Sequence, residues 1–301
     1  MQHIVHRISI TTAALFLLLQ TAVPLLYSAD FYIDPVSGSP DGDGSLAQPW
    51  KSLQEVIDSN RVESMKWSSL PYDGSNQLVV RNEGAPIKGG DTIWLFDGNY
   101  ESVNITGYYN TQTITLAAMD GATPRFGSIL IRAGANWHLR GLSVSPSYAT
   151  VYEPITMINL DSHGYHGPIR DITIEECSLQ SVPDVSGWSL EDWNQLAASG
   201  IAADGTNIII RNNRVRNVNF GISVTASHSL VQSNVIENFS GDGLRGPGNY
   251  TTFDSNTVKN CYDVNANHDD GFQSWSYKDG QVFSDAKKIV TRIYYRFSAH
   301  S

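Results

Sequence analysis

Cys177 and Cys261 are the only cysteines in this 301-residue chain, so a disulfide-dense scaffold is excluded and stability has to come from a buried core. Basic residues are also few. Twenty Lys and Arg stand against 30 Asp and Glu, a formal net charge of -10, which gives no electrostatic support for a nucleic-acid partner. Helical periodicity is almost missing, and beyond the N-terminus no apolar run is long enough to span a bilayer. With 41% hydrophobic and 10% aromatic residues the chain can still bury a substantial core, so its composition is not that of a disordered protein.

The single long apolar run, Ile8 to Leu26, follows His3, His6 and Arg7 and precedes the small residues Ser28 and Ala29. That order reads as an export signal over residues 1–29, removed near Ala29. Thr11, Thr12, Gln20 and Pro24 interrupt the run and argue against a membrane anchor. The expected location is secreted, periplasmic or cell-surface, with a monomeric mature chain that carries no transmembrane segment.

What is present is a repeat. Arg211-Asn-Asn-Arg-Val-Arg-Asn-Val218 returns as Gln232-Ser-Asn-Val-Ile-Glu-Asn-Phe239 and as Asp254-Ser-Asn-Thr-Val-Lys-Asn-Cys261, in steps of 21 and 22 residues. A period of this length, with β-branched residues in phase, is the mark of a solenoid. Short strands bounded by Gly, Asn and Asp make it all-β: Thr92 to Phe96, Thr113 to Ala117, Ile129 to Ile131 and Trp137 to Arg140. A parallel β-helix, one coil per repeat, is therefore predicted for residues 89–275. Ile210, Val231 and Phe253 should stack inside as one row, and Val215, Ile236 and Val258 as another. Arg211, Gln232 and Asp254 should face out, and Asn213, Asn234 and Asn256 should form an internal amide ladder.

The same alignment gives Cys177 the slot of Asn213 and Cys261 the slot of Val218, several coils apart. Strands stack roughly 4.8 Å apart, so the two thiols are predicted to be unbridged and buried. Residues 30–88 read as an N-terminal cap and first turn, with a strand at Phe31 to Asp34 and a helix from Pro49 that places Trp50, Leu53, Val56 and Ile57 on one face. Residues 60–88 read as a loop or cap extension. The tail, 276–301, lacks the repeat and reverses charge, with Lys278, Lys287, Lys288, Arg292 and Arg296 against Asp279 and Asp285; it reads as a different cap or as a truncated end.

Chemistry is expected where the rhythm breaks. The step from Asn217 to Gly221 is four and from Asn238 to Gly243 five, but from Asn260 to Gly271 it is eleven, and the extra residues end in Asn267-His268-Asp269-Asp270. Alternation turns Ser223, Arg245 and Gln273 outward, with Trp275 beyond. One strip thus gathers Asp242, Arg245, His268, Asp269, Asp270, Gln273 and Trp275. Asp242 and Asp270, in successive coils, suit either a bound Ca²⁺ or an acid/base pair, or else simple turn formation. Arg245 suits a substrate carboxylate or an ion pair with Asp242. His268 suits proton transfer near neutral pH, and Gln273, Trp275 and Asp269 suit sugar binding. Asp41-Gly-Asp-Gly44 reads as a turn. A second break, Pro183 to Ala198, holds Trp188 and Trp193. These, with Tyr165 and His166, either line a glycan path or pack over the solenoid.

The chain resembles the right-handed parallel β-helix proteins of the pectin-lyase-like superfamily. The resemblance is carried by the Asn-x-Val-x-Asn coils, by Tyr32-Ile-Asp-Pro with Gly42-Asp-Gly-Ser and Pro49-Trp-Lys-Ser-Leu-Gln, and by Gly90-Asp-Thr-Ile-Trp-Leu-Phe-Asp-Gly-Asn-Tyr100. It covers roughly residues 31–275 and specifies fold far more than reaction. It implies polysaccharide lyases, uronan C5-epimerases and glycoside hydrolases as candidate classes, with an acidic polysaccharide as partner and Ca²⁺ as a common cofactor; a lyase or epimerase is the leading expectation, with a glycoside hydrolase or a non-catalytic glycan-binding or structural solenoid as alternatives. The sequence lacks the Asp-Pro-His motif of mannuronan epimerases, the lysine and arginine pair of calcium-dependent alginate and chondroitin lyases, for which only Arg245 and Lys259 are nearby, and the Gly-His-Gly and Arg-Ile-Lys motifs of pectin-degrading hydrolases.

Overall fold

The computed structural model describes residues 28–265 and 269–274, together with 277–278, 281–282, 289–290 and 293–296. Nearly all of the expected export signal, and both His268 and Trp275, lie outside the described residues. No helix among the described residues is long and apolar enough to cross a membrane.

The repeat winds as a parallel β-helix with three faces. One coil runs Ser199–Ala203 on face 1, Thr206–Arg211 on face 2 and Arg214–Val218 on face 3. The next runs Ile222–Val224, Leu230–Gln232 and Val235–Phe239, each strand parallel to its counterpart. Ile210 lies opposite Val231 and Val231 opposite Phe253; all three are fully buried. Val215, Ile236 and Val258 stack in the same way on face 3. Each such side chain contributes about 1.5–3 kcal/mol by leaving water, and the in-phase repeat brings them into one core.

The bend from face 2 to face 3 is a single left-handed residue. Glu176, Asn212, Ser233 and Ser255 all have φ between 55° and 57°, and each precedes a member of the internal ladder. The left-handed step breaks alternation, so the next side chain turns inward as Cys177, Asn213, Asn234 or Asn256. The amides then chain together. Asn213 Nδ2 donates to Asn234 Oδ1 at 2.9 Å, Asn234 Nδ2 donates to Asn256 Oδ1 at 3.0 Å, and Cys177 N–H donates to Asn213 Oδ1 at 2.9 Å. A second ladder, which the sequence reading did not anticipate, forms where face 3 turns to face 1. Asn217, Asn238 and Asn260 are themselves left-handed there, and their amides link at 2.9 and 3.1 Å. Asparagine suits this corner because it tolerates that backbone region and bonds locally.

Glycine is required where the following strand enters face 1. A Cβ at Gly221 would lie 2.2 Å from Gly243 O and 2.6 Å from Ile236 Cγ2, and one at Gly200 would lie 2.3 Å from Gly221 O. Gly221→Ala is expected to cost about 2–3 kcal/mol as overpacking against backbone that cannot retreat, read as a lower urea midpoint at unchanged slope.

The two thiols are unbridged, as expected. Cys177 is buried, and burial pushes its pKa up to about 12. Cys261 is only half-buried, a correction to the expectation of two buried thiols, because it ends its strand beyond the residues, Asn256 to Lys259, that the next rung pairs with, beside the long insertion.

The cap differs in two details. The helix is Leu53–Asp58, capped by Ser52, so Trp50 precedes it; Trp50 packs against Phe31 at 5.5 Å and donates to Gly42 O through Nε1. Residues 60–88 are not simply loop: Ser64–Trp67 and Leu78–Arg81 pair as an antiparallel hairpin whose Trp67 packs on Tyr109. Asp41 to Gly44 is a turn, with Asp43 accepting from Ser45 N–H. In the tail, Ile289–Val290 and Ile293–Arg296 pair in parallel with Thr252–Asp254 and Asn256–Cys261, extending faces 2 and 3 by one rung.

Face 2 carries an outward ionic cluster. Glu175 lies between Arg140 and Arg211 in register, accepts from Arg211 Nε at 2.5 Å and sits 2.8 Å from His138 Nε2. Burial holds His138 below its ordinary pKa despite the pull of Glu175. Burial pushes the Glu175 carboxyl up, but hydrogen bonding from Arg211 and the charge of His138 outweigh it and hold it below the carboxylate range. Both groups bind fewer protons folded than unfolded, so both stabilise at neutral pH and lose that contribution as pH falls. The unfolding midpoint is expected to drop between about pH 7 and about pH 5, and His138→Gln is expected to flatten that part of the profile.

Candidate functional site

Face 1 presents its outward side chains as one row. Asn104, Leu130, Asn159, Ala202, Ser223, Arg245 and Gln273 occupy successive rungs in register. The inward partners Ile222 and Leu244 are fully buried beneath, and Phe272 is partly buried. The phase inferred from the glycines is the phase observed: Gly221 N–H donates to Asp242 O and Gly243 N–H donates to Asp270 O at 2.9 Å.

Asp242, Arg245, Asp270 and Gln273 are brought together as the sequence implied, but in unequal roles. Asp242 is only 4% exposed. Its Oδ1 accepts from Asp270 N–H at 3.1 Å and its Oδ2 lies 3.1 Å from Arg245 Nε. One carboxylate therefore pins the next coil and anchors the arginine. Arg245 keeps about a third of its side chain exposed, with its Cζ 4.7 Å above the ring of Phe220. Phe220 was missed, although the glycine alignment puts it in the column of Asp242 and Asp270. Held from below by a carboxylate and from the side by a ring, the guanidinium is preorganised at little entropic cost. Gln273 Nε2 is 3.5 Å from Asp270 Oδ2. Acidic residues also surround Cys261: burial first, then Asp269, Asp263, Asp242 and Asp270, push its thiol up to about 12. Among the described residues no group of three or more His, Cys, Asp and Glu is arranged to hold a metal ion.

The two breaks in the repeat meet beside this row. The helix Leu190–Leu196, closed by a capping box of Ser189 and Asp192, places Trp193 against Tyr262 at 4.7 Å and 26°. Asn265 Nδ2 donates to Asn194 Oδ1 at 2.6 Å, and Tyr152 Oη donates to Leu196 O at 2.5 Å. Trp193 is 4% exposed and meets Trp188 edge-on at 5.0 Å, so this tryptophan pair packs an insert against the loop leading to Asp269 and Asp270. Such contacts between aperiodic loops leave no signal in a repeat alignment. Tyr165 and His166 sit elsewhere, in the loop joining faces 1 and 2. His166 touches the rings of Tyr165 and His163 there, and Tyr165 O accepts from Tyr72 N–H at 2.8 Å.

No family model matches the chain, and no curated protein matches it by sequence. Comparison with solved structures gives partial alignments. The A-module of a mannuronan C-5 epimerase from Azotobacter vinelandii aligns at 16% identity and TM-score 0.43 over 61% of this chain, which spans half the length of that module. A pectate lyase aligns at 14% identity and TM-score 0.44, covering 91% of this chain and 79% of its own. A rhamnogalacturonan lyase aligns at 12% identity and TM-score 0.36, covering 90% of this chain and 67% of its own.

Proposed function

We propose that the chain acts on a uronic-acid polysaccharide laid along face 1, by β-elimination or C5-epimerisation. The observation that carries this reading is the anchored, outward guanidinium of Arg245, fixed by buried Asp242 in a row otherwise small or neutral. A bidentate contact from Arg245 to the C6 carboxylate would withdraw charge from it and acidify the C5 proton. His268, two residues before Asp270 in sequence, is proposed as the base. Return of a proton to C5 gives the epimer; expulsion of the C4 oxygen, with a proton delivered to it, gives the unsaturated end.

Asp242 and Asp270 fit Ca²⁺ poorly, because a cation there would have to displace both a guanidinium and a backbone N–H from Asp242. In this proposal the neutralising charge is that of Arg245. The same engagement of Asp242 disfavours its use as one of a hydrolase's two carboxylates and leaves Asp269 and Asp270 for that alternative.

The test is incubation with alginate, pectate and glycosaminoglycans, with and without Ca²⁺. Ultraviolet absorbance follows elimination and solvent-proton exchange at C5 follows epimerisation. Neither signal on any substrate would overturn the proposal; new reducing ends without the chromophore would favour a hydrolase. Glycan binding that survives His268→Ala and Asp270→Asn, with no turnover by the unmodified protein, would favour a binding solenoid.

A further inference from the structure

Along the row that holds Arg245, the floor of face 1 changes character toward the N-terminal coils. A cavity of about 340 Å³ opens there, lined among others by Ser128, Thr156, the outward residues Asn104, Leu130 and Asn159, and Ile155. Its volume lies in the range of small-ligand sites. Three properties set it apart from the Arg245 end. None of its lining residues is charged. Hydroxyl and amide groups supply its polar surface. Leu130 breaks a polar row, with Asn104 and Asn159 on the adjacent rungs, and Ile155, which lines the same cavity, is 46% exposed.

An acidic sugar is a poor occupant of such a cavity, since its carboxylate would leave water without meeting a cation. A sugar with an apolar projection is a good one, because Leu130 and Ile155 offer apolar surface while Asn104, Ser128, Thr156 and Asn159 offer partners for ring hydroxyls. The row continues from Asn159 through Ala202 and Ser223 to Arg245. That is three rungs, roughly 14 Å, within reach of one extended oligosaccharide, and the two intervening side chains are small enough to leave the path clear.

We propose that this cavity is a subsite for a neutral sugar residue bearing a methyl group, so that the polymer recognised along face 1 carries neutral, methyl-bearing residues as well as acidic ones. The proposal rests on the reading of face 1 as a polysaccharide path. The methyl group can belong to a 6-deoxyhexose or to an acetyl substituent, which present the same apolar chemistry.

Calorimetric titration of the full chain with three oligosaccharide sets of equal length separates the cases: uronate only, uronate alternating with a 6-deoxyhexose, and uronate alternating with an N-acetylhexosamine. One methyl-bearing set is expected to bind about tenfold more tightly than the uronate-only set, and which one it is names the source of the methyl group. Leu130→Asn, at a partly buried position, and Ile155→Ser, at an exposed one, should each remove that gain while the circular dichroism of the folded chain is retained. Equal affinity for the three sets, or a gain that survives both substitutions, overturns the subsite. Arg245→Met separates the two readings. A methyl-dependent gain that persists in this variant supports the subsite whether or not uronate recognition is lost, whereas failure of all three sets to bind the unmodified chain overturns both.

Discussion

Asn234→Ala is expected to lower the stability of the chain by about 4 kcal/mol, a factor of about a thousand in the folding equilibrium. The side chain is fully buried and makes four contacts. Its Oδ1 accepts from Asn213 N–H at 3.0 Å and from Asn213 Nδ2 at 2.9 Å, and its Nδ2 donates to Ile210 O at 2.9 Å and to Asn256 Oδ1 at 3.0 Å. Alanine has neither atom, and no water replaces them without opening the coil. Each buried group left unsatisfied costs about 1–3 kcal/mol, and relaxation brings the sum below simple addition. The loss spreads, because each coil of a solenoid draws its stability from its neighbours. Asn238→Ala is the comparison. Its ladder is only partly buried, and about 1 kcal/mol is expected. Urea unfolding followed by circular dichroism measures both; equal and small losses would sink the claim that the inner ladder is a principal support.

Arg245→Met is expected to reduce kcat/KM on the uronan substrate by about 10²–10³, the usual consequence of removing one preorganised electrostatic partner. Methionine keeps apolar contact with Phe220 but removes the charge. It also leaves Asp242, 4% exposed, without its guanidinium, and because Arg245 is itself about a third exposed the stability cost is expected to be about 2 kcal/mol. The two effects separate in practice. Asp242→Asn keeps an acceptor for Asp270 N–H but weakens the hold on Arg245, so it should act on the activity by mispositioning the guanidinium. Arg245→Lys restores charge without the planar fork, and intermediate activity is expected. A folded Arg245→Met chain with activity within about threefold of the original would remove Arg245 from the mechanism.

The solenoid was legible because its signal is redundant. Three copies of one phrase fixed the inward rows, the glycine column and the phase that aligns Asp242 with Asp270. The amide ladder followed from the same columns. What escaped was non-repeating or conformational. The left-handed corners at Glu176, Asn212, Ser233 and Ser255 share a backbone angle but not a residue type, so no composition rule marks them. The packing of Trp193 on Tyr262 joins loops 69 residues apart with no periodic relation. Phe220 was hidden for the opposite reason: it occupies a column whose other members are aspartates, so the column signals carboxylate chemistry and not the ring that supports Arg245. Within the strip, the register of the sequence puts Asp242, Arg245, Asp270 and Gln273 side by side but does not say which of them is buried; that depends on the Asp270 N–H that the next coil brings down onto Asp242.

The shared outward row of face 1 also makes the solenoid a ruler. The distance from the uncharged cavity to Arg245 is set by a whole number of coils rather than by the length of any side chain. Loss or gain of one complete coil would change it by a single strand spacing, roughly 4.8 Å, while leaving every ladder contact of the remaining coils available. A fold of this kind can retune itself to a polymer of different repeat length by counting, without redesigning either end of its site.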